Sequence, residues 1–554
     1  MPSLESLIHY CFAVGVLAMV GVALVLAIQV FTLGTQAHQD NCKEKVKRAT
    51  KPDTTSHEEP YYAGFFHPYP NIGGGGERVL WSMIKAIQDK YPFIVCVIYS
   101  GDNVTRDELL RNVEAKFGLS INPDTIYVVD LSWRWLIDRK FPRFTLLVQS
   151  LGSVLLAGQA INRFRPDIFI ESVGFAFTYP LVRLLTARIP IVAYTHYPTI
   201  SSDMQTMVSS RETGINNDQT IASSPLLSRL KSLYYWGFAL AYSFAGSFAS
   251  TIMTNSSWTQ DHLVKLFRMP KMTKVVYPPC DTKAFSEFPL SPRQPLVMSL
   301  AQFRPEKNHK LQISAFAHLL ATRPEYVAPP GERPFTAESL LTHCCQPEPA
   351  TIRYPILVLI GGARNIEDEA RAEELRQLAK RLGIDRQVLV IVNAPWGQVL
   401  EWLKYSKIGI HTMRDEHFGI NIVEMMAAGL LTIAHDSAGP KLDIISPAIR
   451  DTLPSDMQLA EFTAKLDRST NDEDIVGLGF PVGWVATTAE QFADSIALAL
   501  VAPSQLAIAV QRAARATART KFTEDAFRLG FYKRFSPVVR WLDIQRSDID
   551  DTED

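Results

Sequence analysis

Short apolar runs alternate along this chain with segments in which apolar residues recur every three or four positions. The runs, such as PFIVCVIYS, PDIFIES and PIVAYTHYP, predict buried parallel strands. The periodic segments, such as RVLWSMIKAIQDK, predict the helices between them. The alternation stops at a Pro-rich break near Pro289–Pro295 and then resumes with PLVMSLAQF, PILVLIGGA and KIGIHTM. We therefore predict an α/β protein with two Rossmann-like, doubly wound domains, 60–288 and 289–520, facing each other across a cleft.

The N-terminal segment has a different pattern. From Leu7 to Leu33 the chain carries no Asp, Glu, Lys or Arg, and a helix of that length would be roughly 40 Å long, enough to cross a bilayer core of ~30 Å. The segment that follows is basic, with several Lys and Arg between residues 43 and 51, whereas the only charged side chain before the apolar run is that of Glu5. The positive-inside rule then places the C-terminal side in the cytosol. We predict a membrane anchor at 1–33 and a polar linker at 34–59.

Other segments allow more than one interpretation. The uncharged stretches 144–161 and 232–254 are long enough to span a membrane, but their Gly, Ala and Ser content also suits buried helices or helices docked at the membrane interface. Residues 325–351 and 446–478 are predicted to be surface loops. At the C-terminus we expect a helix over 521–545 that returns to the N-terminal domain, followed by a disordered tail, 546–554.

Composition excludes several classes of protein. The chain has 554 residues, of which 47% are hydrophobic and 20% charged, and its net charge is -1, so it lacks the basic surplus of a nucleic-acid-binding protein. The cysteines are scattered without a CxxC pair, which argues against a disulfide framework and against structural zinc. They are Cys11, Cys42, Cys96, Cys280, Cys344 and Cys345. The acidic triplet Asp472–Asp474 resembles a metal motif in composition only, so we predict no metal site.

Four consecutive glycines, Gly73–Gly76, lie in NIGGGGERVLW between a predicted strand and a predicted helix. Main-chain amides at such a junction can hold an anionic group, and glycine leaves room for a ligand to approach the backbone. The run is neither a P-loop nor a GxGxxG fingerprint. A tight turn without a ligand is the alternative interpretation.

The segment RDEHFGINIVEMMAAG places Glu416 in a loop after a strand and Glu424 in the next helix. Eight residues of continuous helix would separate the two backbones by about 12 Å, whereas the paired carboxyls of glycosidases stand about 5–9.5 Å apart. The spacing suits the two ends of an extended ligand, with the amides of His417, Phe418 and Gly419 between them for a diphosphate. This pattern predicts a nucleotide-sugar site. The alternative is a helix-capping Glu416 and a solvated Glu424.

The motif Glu-x7-Glu-MMAAG, followed by AHDSAGPKLDII, resembles the donor site of retaining glycosyltransferases of family 4, which have the GT-B fold. The resemblance covers about 61–542. HPYPNIGGGGERVLW, AYTHYPTIS, TNSSWTQDH and LAQFRPEKNH are similar to motifs of the dolichol-pathway α-1,2-mannosyltransferases within that family. That family implies GDP-mannose as donor, a dolichol-diphosphate-linked oligosaccharide as acceptor, and the cytosolic face of the endoplasmic reticulum membrane. Other mannosyltransferases of the pathway are expected partners, and nucleic acid is not.

The resemblance also implies roles for individual residues of the C-terminal domain. Glu424 corresponds to the glutamate that binds the donor ribose, Glu416 to the one that contacts the donor sugar, and Lys307 to the lysine on the diphosphate. The family has an arginine where this chain has Gln302. Arg304 is the candidate substitute for that arginine.

In the N-terminal domain, His196 corresponds to a histidine near the donor sugar, although a structural histidine is the alternative. Gly74, Gly75 and Gly76 correspond to the loop at the phosphate–sugar junction. The family chemistry implies transfer without a metal or other cofactor, by front-face attack with retention. The competing hypotheses are another family 4 transferase with a different donor or acceptor, a non-catalytic membrane-tethered subunit that binds nucleotide-sugar, and an NAD-dependent α/β enzyme.

Overall fold

The structure is a computed structural model that describes residues 36–55, 57, 59–138, 145–186, 189–211, 219–285, 287–331, 334–346, 352–450 and 454–553. The predicted membrane anchor, 1–33, lies outside these residues. The chain forms two compact units. Unit 1 contains the residues up to Pro279 and those from Phe527 onward, and unit 2 contains Cys280–Ala526.

Unit 1 is built on a parallel sheet of seven strands in the order β3-β2-β1-β4-β5-β6-β7. Side chains alternate across it, so that Tyr62 and Phe66 enter one core and Tyr61 and Phe65 the other. The strands are β1 Tyr61–Phe66, β2 Ile94–Ser100, β3 Ile126–Asp130, β4 Ile168–Glu171, β5 Ile191–Thr195, β6 Thr251–Thr254 and β7 Thr273–Val275.

Helices cover both faces of this sheet, as a doubly wound fold requires. They are α1 Gln36–Ala49, α2 Gly75–Lys90, α3 Arg106–Phe117, α4 Thr145–Arg163, α5 Thr178–Thr186, α6 Ser202–Ser209, α7 Gln219–Ser223, α8 Pro225–Gly246 and α9 Ser257–Phe267.

Unit 2 has a six-stranded parallel sheet in the order β10-β9-β8-β11-β12-β13. The strands are β8 Gln294–Leu300, β9 Ile356–Gly361, β10 Val388–Val392, β11 Ser406–His411, β12 Leu431–His435 and β13 Trp484–Ala486. The helices from here to the C-terminus are α10 His309–Thr322, α11 Ala337–Cys344, α12 Ile366–Arg381, α13 Trp396–Tyr405, α14 Ile420–Ala428, α15 Asp456–Leu466, α16 Asp472–Gly477, α17 Ala489–Val501, α18 Ser504–Lys521 and α19 Glu524–Glu553.

The prediction of a linker over 34–59 is wrong for Gln36–Ala49, which forms α1. Val46 is 1% exposed, and the Gln39 side chain donates to the carbonyl oxygens of Ile161 and Asn162 at 3.3 and 3.0 Å. Few apolar residues mark this helix in the sequence, because polar side chains such as Gln39 and Lys43 contact the rest of unit 1.

Three other segments are more ordered than predicted. The tail 546–554 was expected to be disordered, but α19 continues to Glu553. The predicted loops 325–351 and 446–478 contain α11 in the first case and α15 and α16 in the second. The N-caps of these helices are Thr336, Ser455 and Asn471, whose side chains accept the main-chain N–H three residues on. Such caps favour a helix even where little apolar periodicity exists.

The two uncharged stretches have different structures. The first is α4, the described helix that is long and apolar enough to cross a membrane, but 56% of its most apolar window is buried inside the protein. The second stretch, 232–254, divides into the end of α8, a turn and the buried strand β6. A continuous span is therefore excluded for the second stretch.

Candidate active site

A charge pair at the strand ends of unit 2 joins Lys307 and Glu416. Lys307 ends a short turn after β8, and Glu416 lies in the loop after β11, the neighbouring strand of the sheet. Because parallel strands end at the same edge, these residues meet although they are far apart in sequence. The Lys307 ammonium donates to Glu416 Oε2, and its Nζ lies 3.3 Å from Met413 Sδ.

His411 also contacts the Glu416 carboxylate, and Asn421 contacts His411. His411 Nε2 lies 3.1 Å from Glu416 Oε2, and Asn421 Nδ2 donates to His411 Nδ1 at 2.9 Å. Asn421 Nδ2 also donates to the Leu300 carbonyl oxygen at 2.6 Å. Since Nδ1 accepts a hydrogen bond, the proton of a neutral His411 lies on Nε2 and points at the carboxylate.

The electrostatics of this network keep Glu416 ionised. Burial opposes ionisation, but the Lys307 charge and the His411 hydrogen bond outweigh it and hold the pKa of Glu416 well below its usual range. Burial also lowers the pKa of His411, against the opposing effect of Glu416. An ionised, preoriented carboxylate can accept hydrogen bonds from ligand hydroxyls but cannot supply a proton at neutral pH.

The loop around Glu416 is braced by the segment after β12. The Asp415 amide donates to Ser437 Oγ at 2.8 Å, and the Gly439 amide donates to the Glu416 carbonyl oxygen at 3.0 Å. A Cβ on Gly439 would lie 2.6 Å from the His417 carbonyl oxygen and 2.9 Å from Phe418 Cα. Only glycine allows the two loops to approach this closely.

His417, Phe418 and Gly419, which we predicted to bind the donor diphosphate, lie directly before α14. Gly419 is the N-cap of α14, with φ 107°, a left-handed conformation that favours glycine. Phe418 is 3% exposed and packs edge-on against Phe522, with ring centroids 5.4 Å apart. Glu424 follows on α14, half-buried between fully buried Val423 and Met425.

Arg304 lies in the same strand-end region, as the N-cap of the turn that carries Lys307. Its Nη1 lies 3.7 Å from Glu306 Oε1, and burial, with the neighbouring Arg364 charge, lowers its pKa. Gln302, at the position where the family has arginine, has an exposed side chain, and its carbonyl oxygen accepts the Arg304 amide at 2.7 Å.

In unit 1 the structure brings together the glycine run and His196. Gly73 has φ +89°, and Gly74 is the N-cap of α2. A Cβ on Gly76 would lie 3.5 Å from His196 Nε2, which places this histidine, just after β5, directly beside the turn. The Gly74 amide is already used, because it donates to Glu77 Oε2 at 2.7 Å.

Sequence reasoning missed His411 and Asn421. A polar residue at the last position of a buried strand was the available signal for His411, and Asn421 lies within the helix start that carries Glu424. Over the described ranges, no group of three or more His, Cys, Asp or Glu side chains is arranged to hold a metal ion.

Comparison with known proteins decides the family. The model named ALG11 mannosyltransferase N-terminus matches residues 60–267, and the model named Glycosyl transferases group 1 matches residues 346–475. The human GDP-Man:Man(3)GlcNAc(2)-PP-Dol alpha-1,2-mannosyltransferase is 38% identical over 84% of this chain and 85% of its own. The enzyme of the same name from Dictyostelium discoideum is 40% identical over 69% of this chain and 72% of its own. The chain belongs to this mannosyltransferase family. It is therefore a glycosyltransferase, and the family predicted from the motifs is confirmed.

Solved structures support the fold. Anabaena HepE in complex with UDP and glucose superposes on 86% of this chain and 99% of its own, with a TM-score of 0.51 and 17% identity. Sucrose-phosphate synthase from Thermosynechococcus elongatus covers 87% of this chain and 99% of its own, with a TM-score of 0.55 and 12% identity. The two parallel-sheet units of this mannosyltransferase family member thus resemble those of GT-B glycosyltransferases.

Proposed function

We propose that this protein transfers α-1,2-linked mannose from GDP-mannose to the dolichol-diphosphate-linked oligosaccharide that serves as precursor for protein N-glycosylation. The relatives that share most of its length carry the name of that reaction. The structural observation that carries the proposal is the Lys307–Glu416 pair at the strand ends of unit 2, in which Glu416 is buried and Lys307 is partly buried. In this pair a carboxylate that can bind sugar hydroxyls lies next to an ammonium that can bind phosphate. A sugar attached to a diphosphate requires both groups.

Glu416 is the proposed ligand of the mannose hydroxyls. Its ionised state supplies acceptor lone pairs, and the contacts from Lys307 and His411 fix its orientation before the donor arrives. Lys307 has three N–H donors, so its ammonium can bind a phosphate oxygen while it stays near Glu416. Glu424 is the proposed ligand of the ribose hydroxyls.

Negative charge accumulates on the departing GDP as the glycosidic bond breaks. We assign its stabilisation to Lys307, to Arg304 and to the main-chain amides of His417–Gly419, where α14 begins. This set provides positive charge without a metal ion, and the proposed reaction is metal-independent. Gly74–Gly76 and His196 are the proposed contacts of unit 1 with the phosphate–sugar junction and the sugar.

For the chemical step we propose front-face transfer with retention. The bond from the mannose anomeric carbon to the phosphate oxygen breaks, the acceptor hydroxyl forms its bond on the same face, and its proton passes to the departing phosphate oxygen. Glu416 stays ionised throughout and forms no covalent bond. A mannosyl-enzyme trapped on a carboxylate and found by mass spectrometry would contradict this step.

We further propose that the protein acts at the cytosolic face of the endoplasmic reticulum membrane, held there by the apolar segment at 1–33. Helix α8 provides a second contact. One of its faces packs in unit 1, and the other exposes large apolar side chains, each between 42% and 66% exposed. They are Leu226, Leu227, Leu230, Trp236, Leu240 and Phe244. An exposed apolar stripe beside Arg229 and Lys231 suits a membrane interface.

The direct test is a transfer assay with the full chain extracted from membranes. The protein would be incubated with labelled GDP-mannose or UDP-sugars and with lipid-linked acceptors of graded glycan length. Mannose transfer from GDP-mannose, with α-1,2-linked product, is expected. Transfer from a UDP-sugar alone would show another family 4 activity, and donor binding without transfer would show a non-catalytic subunit.

Variants of the site sharpen this test. Lys307→Ala should lower kcat by about 10²–10³-fold, as the loss of one transition-state donor does, whereas Glu424→Ala should raise the KM for GDP-mannose by about tenfold. Lys310→Ala is the matched control, since Lys310 is 65% exposed on α10 and pairs with Glu374. Wild-type kinetics in both site variants would refute the assignment.

A further inference from the structure

Three polar side chains in unit 1 form a buried array that the proposed chemistry does not use. His67, just after β1, lies between Ser172, just after β4, and Glu77, in the first turn of α2. His67 Nδ1 is 2.8 Å from Ser172 Oγ, and His67 Nε2 is 3.7 Å from Glu77 Oε1. His67 is 3% exposed.

The residue types and their order are those of a hydrolase triad, but their burial excludes that role. Ser172 is 0% exposed, so no substrate can reach its hydroxyl. A nucleophile must also be oriented toward an open site that carries oxyanion donors. The array therefore does not attack a substrate, and its role has to be sought in what it contacts.

The array contacts the glycine turn, which we define as Gly73–Gly76. Glu77 contacts His67 with one carboxylate oxygen and accepts the Gly74 amide with the other at 2.7 Å. This is one half of a capping box at the start of α2, because the glycine N-cap has no side chain to supply the other half. The chain of contacts therefore runs from the end of β4 through the imidazole to the amide of Gly74. It fixes the point at which the main chain enters α2.

The main-chain amides of these glycines therefore have different roles. The Gly74 amide is occupied by Glu77, while Gly75 and Gly76 are the first two residues of α2, where N–H groups have no acceptor within the helix. Gly76 lies beside His196 Nε2, at 3.5 Å from a Cβ built on it. Fixing Gly74 thus fixes the direction of the two amides nearest the histidine.

We propose that Glu77 and His67 are positioning residues that hold the glycine turn so that the Gly75 and Gly76 amides and His196 face the phosphate–sugar part of the donor. This inference rests on the proposed function for the identity of the ligand. Glu77 acts through hydrogen-bond geometry, not through its charge, because an anion at this helix start repels the donor phosphates. The two carboxylate oxygens of Glu77 face the Gly74 amide and His67.

The test compares Glu77→Ala with Glu77→Gln in the full-length protein. Alanine removes the acceptor for the Gly74 amide, and we expect the KM for GDP-mannose to rise by about tenfold with a smaller change in kcat. In Glu77→Gln the amide oxygen still accepts the Gly74 N–H, so the KM should stay within about threefold of wild type or fall below it. Equal impairment of the two variants would overturn the proposal, since it would show that the charge matters.

Thr105→Ala is the matched control, because Thr105 Oγ1 caps α3 of the same unit by accepting the Glu108 amide at 3.3 Å. It should lower the unfolding temperature without changing the KM. If Glu77→Ala behaves like this control, the role is structural only and the proposal fails.

If Glu77→Ala does not fold, Ser172→Ala tests the same proposal. It removes only the hydroxyl behind His67 and should raise the donor KM by about threefold, whereas an unchanged KM would overturn the proposal. Absence of mannose transfer by the wild-type protein would instead refute the proposed function.

Discussion

Glu416 shows how one buried carboxylate can be kept charged. Its neighbours are an ammonium, Lys307, and a neutral imidazole, His411, that is itself oriented by Asn421. An isolated buried carboxylate would take up a proton, whereas each of these neighbours favours the ionised form. Removal of Lys307 would therefore change the protonation of Glu416 as well as the binding of phosphate.

This arrangement predicts a pH dependence of stability. The pKa of Glu416 is lowered in the folded protein, whereas the pKa of a Glu in the unfolded chain is about 4.3. The stabilisation is fully present above the unfolded value and is lost as pH falls toward the folded one. The unfolding temperature of wild type should therefore fall more steeply below about pH 5 than that of Glu416→Gln. Thermal unfolding between pH 3 and 7 measures this difference.

The control for this experiment is Glu338→Gln, which changes an exposed carboxyl in the first turn of α11. Its curve should run parallel to that of wild type. Identical acid slopes for wild type and Glu416→Gln would contradict the lowered pKa.

Gly439 gives a second prediction at the level of a single residue. A Cβ there would meet main-chain atoms of His417 and Phe418, which cannot move away as a side chain can. Gly439→Ala should displace the loop that carries Glu416 and raise the donor KM by about tenfold or more. Gly477→Ala is the control, since a Cβ at that position has nothing within 4 Å. Steady-state kinetics that are unchanged in Gly439→Ala would show that the loop tolerates the shift.

At the level of elements, α8 combines two surfaces in one helix. Phe238 and Tyr242 are buried in the core of unit 1, while Leu240 and Phe244 are exposed on the other side. Hydrophobic periodicity could not separate these faces, because both are apolar. That is why the sequence left buried, interfacial and spanning structures open for this stretch.

We predict that the exposed face of α8 enters the membrane interface. In full-length protein with Cys11, Cys42 and Cys345 replaced by Ser, Phe244→Cys would carry a polarity-sensitive fluorophore. Its emission should shift to the blue when the protein is reconstituted in phosphatidylcholine–phosphatidylinositol vesicles, because the label then lies in an apolar medium. Leu382→Cys, 45% exposed in unit 2, is the control and should show no shift. Equal emission from the two labels would contradict docking.

At the level of the whole molecule, the chain closes unit 1 with its own C-terminal segment. After unit 2 ends at Ala526, the following part of α19 returns Phe527, Phe531 and Phe535 to the core beside β1 and α2. Unit 1 is thus assembled from the two ends of the described chain. Its core is complete only when both are present.

This closure predicts a large effect of Phe531. Its side chain is 0% exposed, and Phe531→Ala should lower the free energy of unfolding of unit 1 by about 3–5 kcal/mol. Leu529, two residues earlier on the same helix, is 62% exposed, and Leu529→Ala should cost less than about 0.5 kcal/mol. Urea unfolding followed by circular dichroism measures both values. A similar loss in the two variants would show that the helix does not contribute to the core.

The sequence by itself determined the α/β class, the two strand–helix series and the family, because buried parallel strands need continuous apolar runs and because the site motifs are local in the chain. Lys307, Glu416 and Gly419 were named in this way as candidate donor contacts, and their roles stay predictions. The tertiary structure alone decided that His411 and Asn421 orient Glu416, that Glu77 uses the Gly74 amide, and that residues 36–49 form a packed helix. The helix over residues 36–49 depends on polar contacts with residues distant in sequence, and the other contacts depend on which of several polar neighbours each side chain meets in the fold. Neither kind of contact leaves a periodic pattern in the chain.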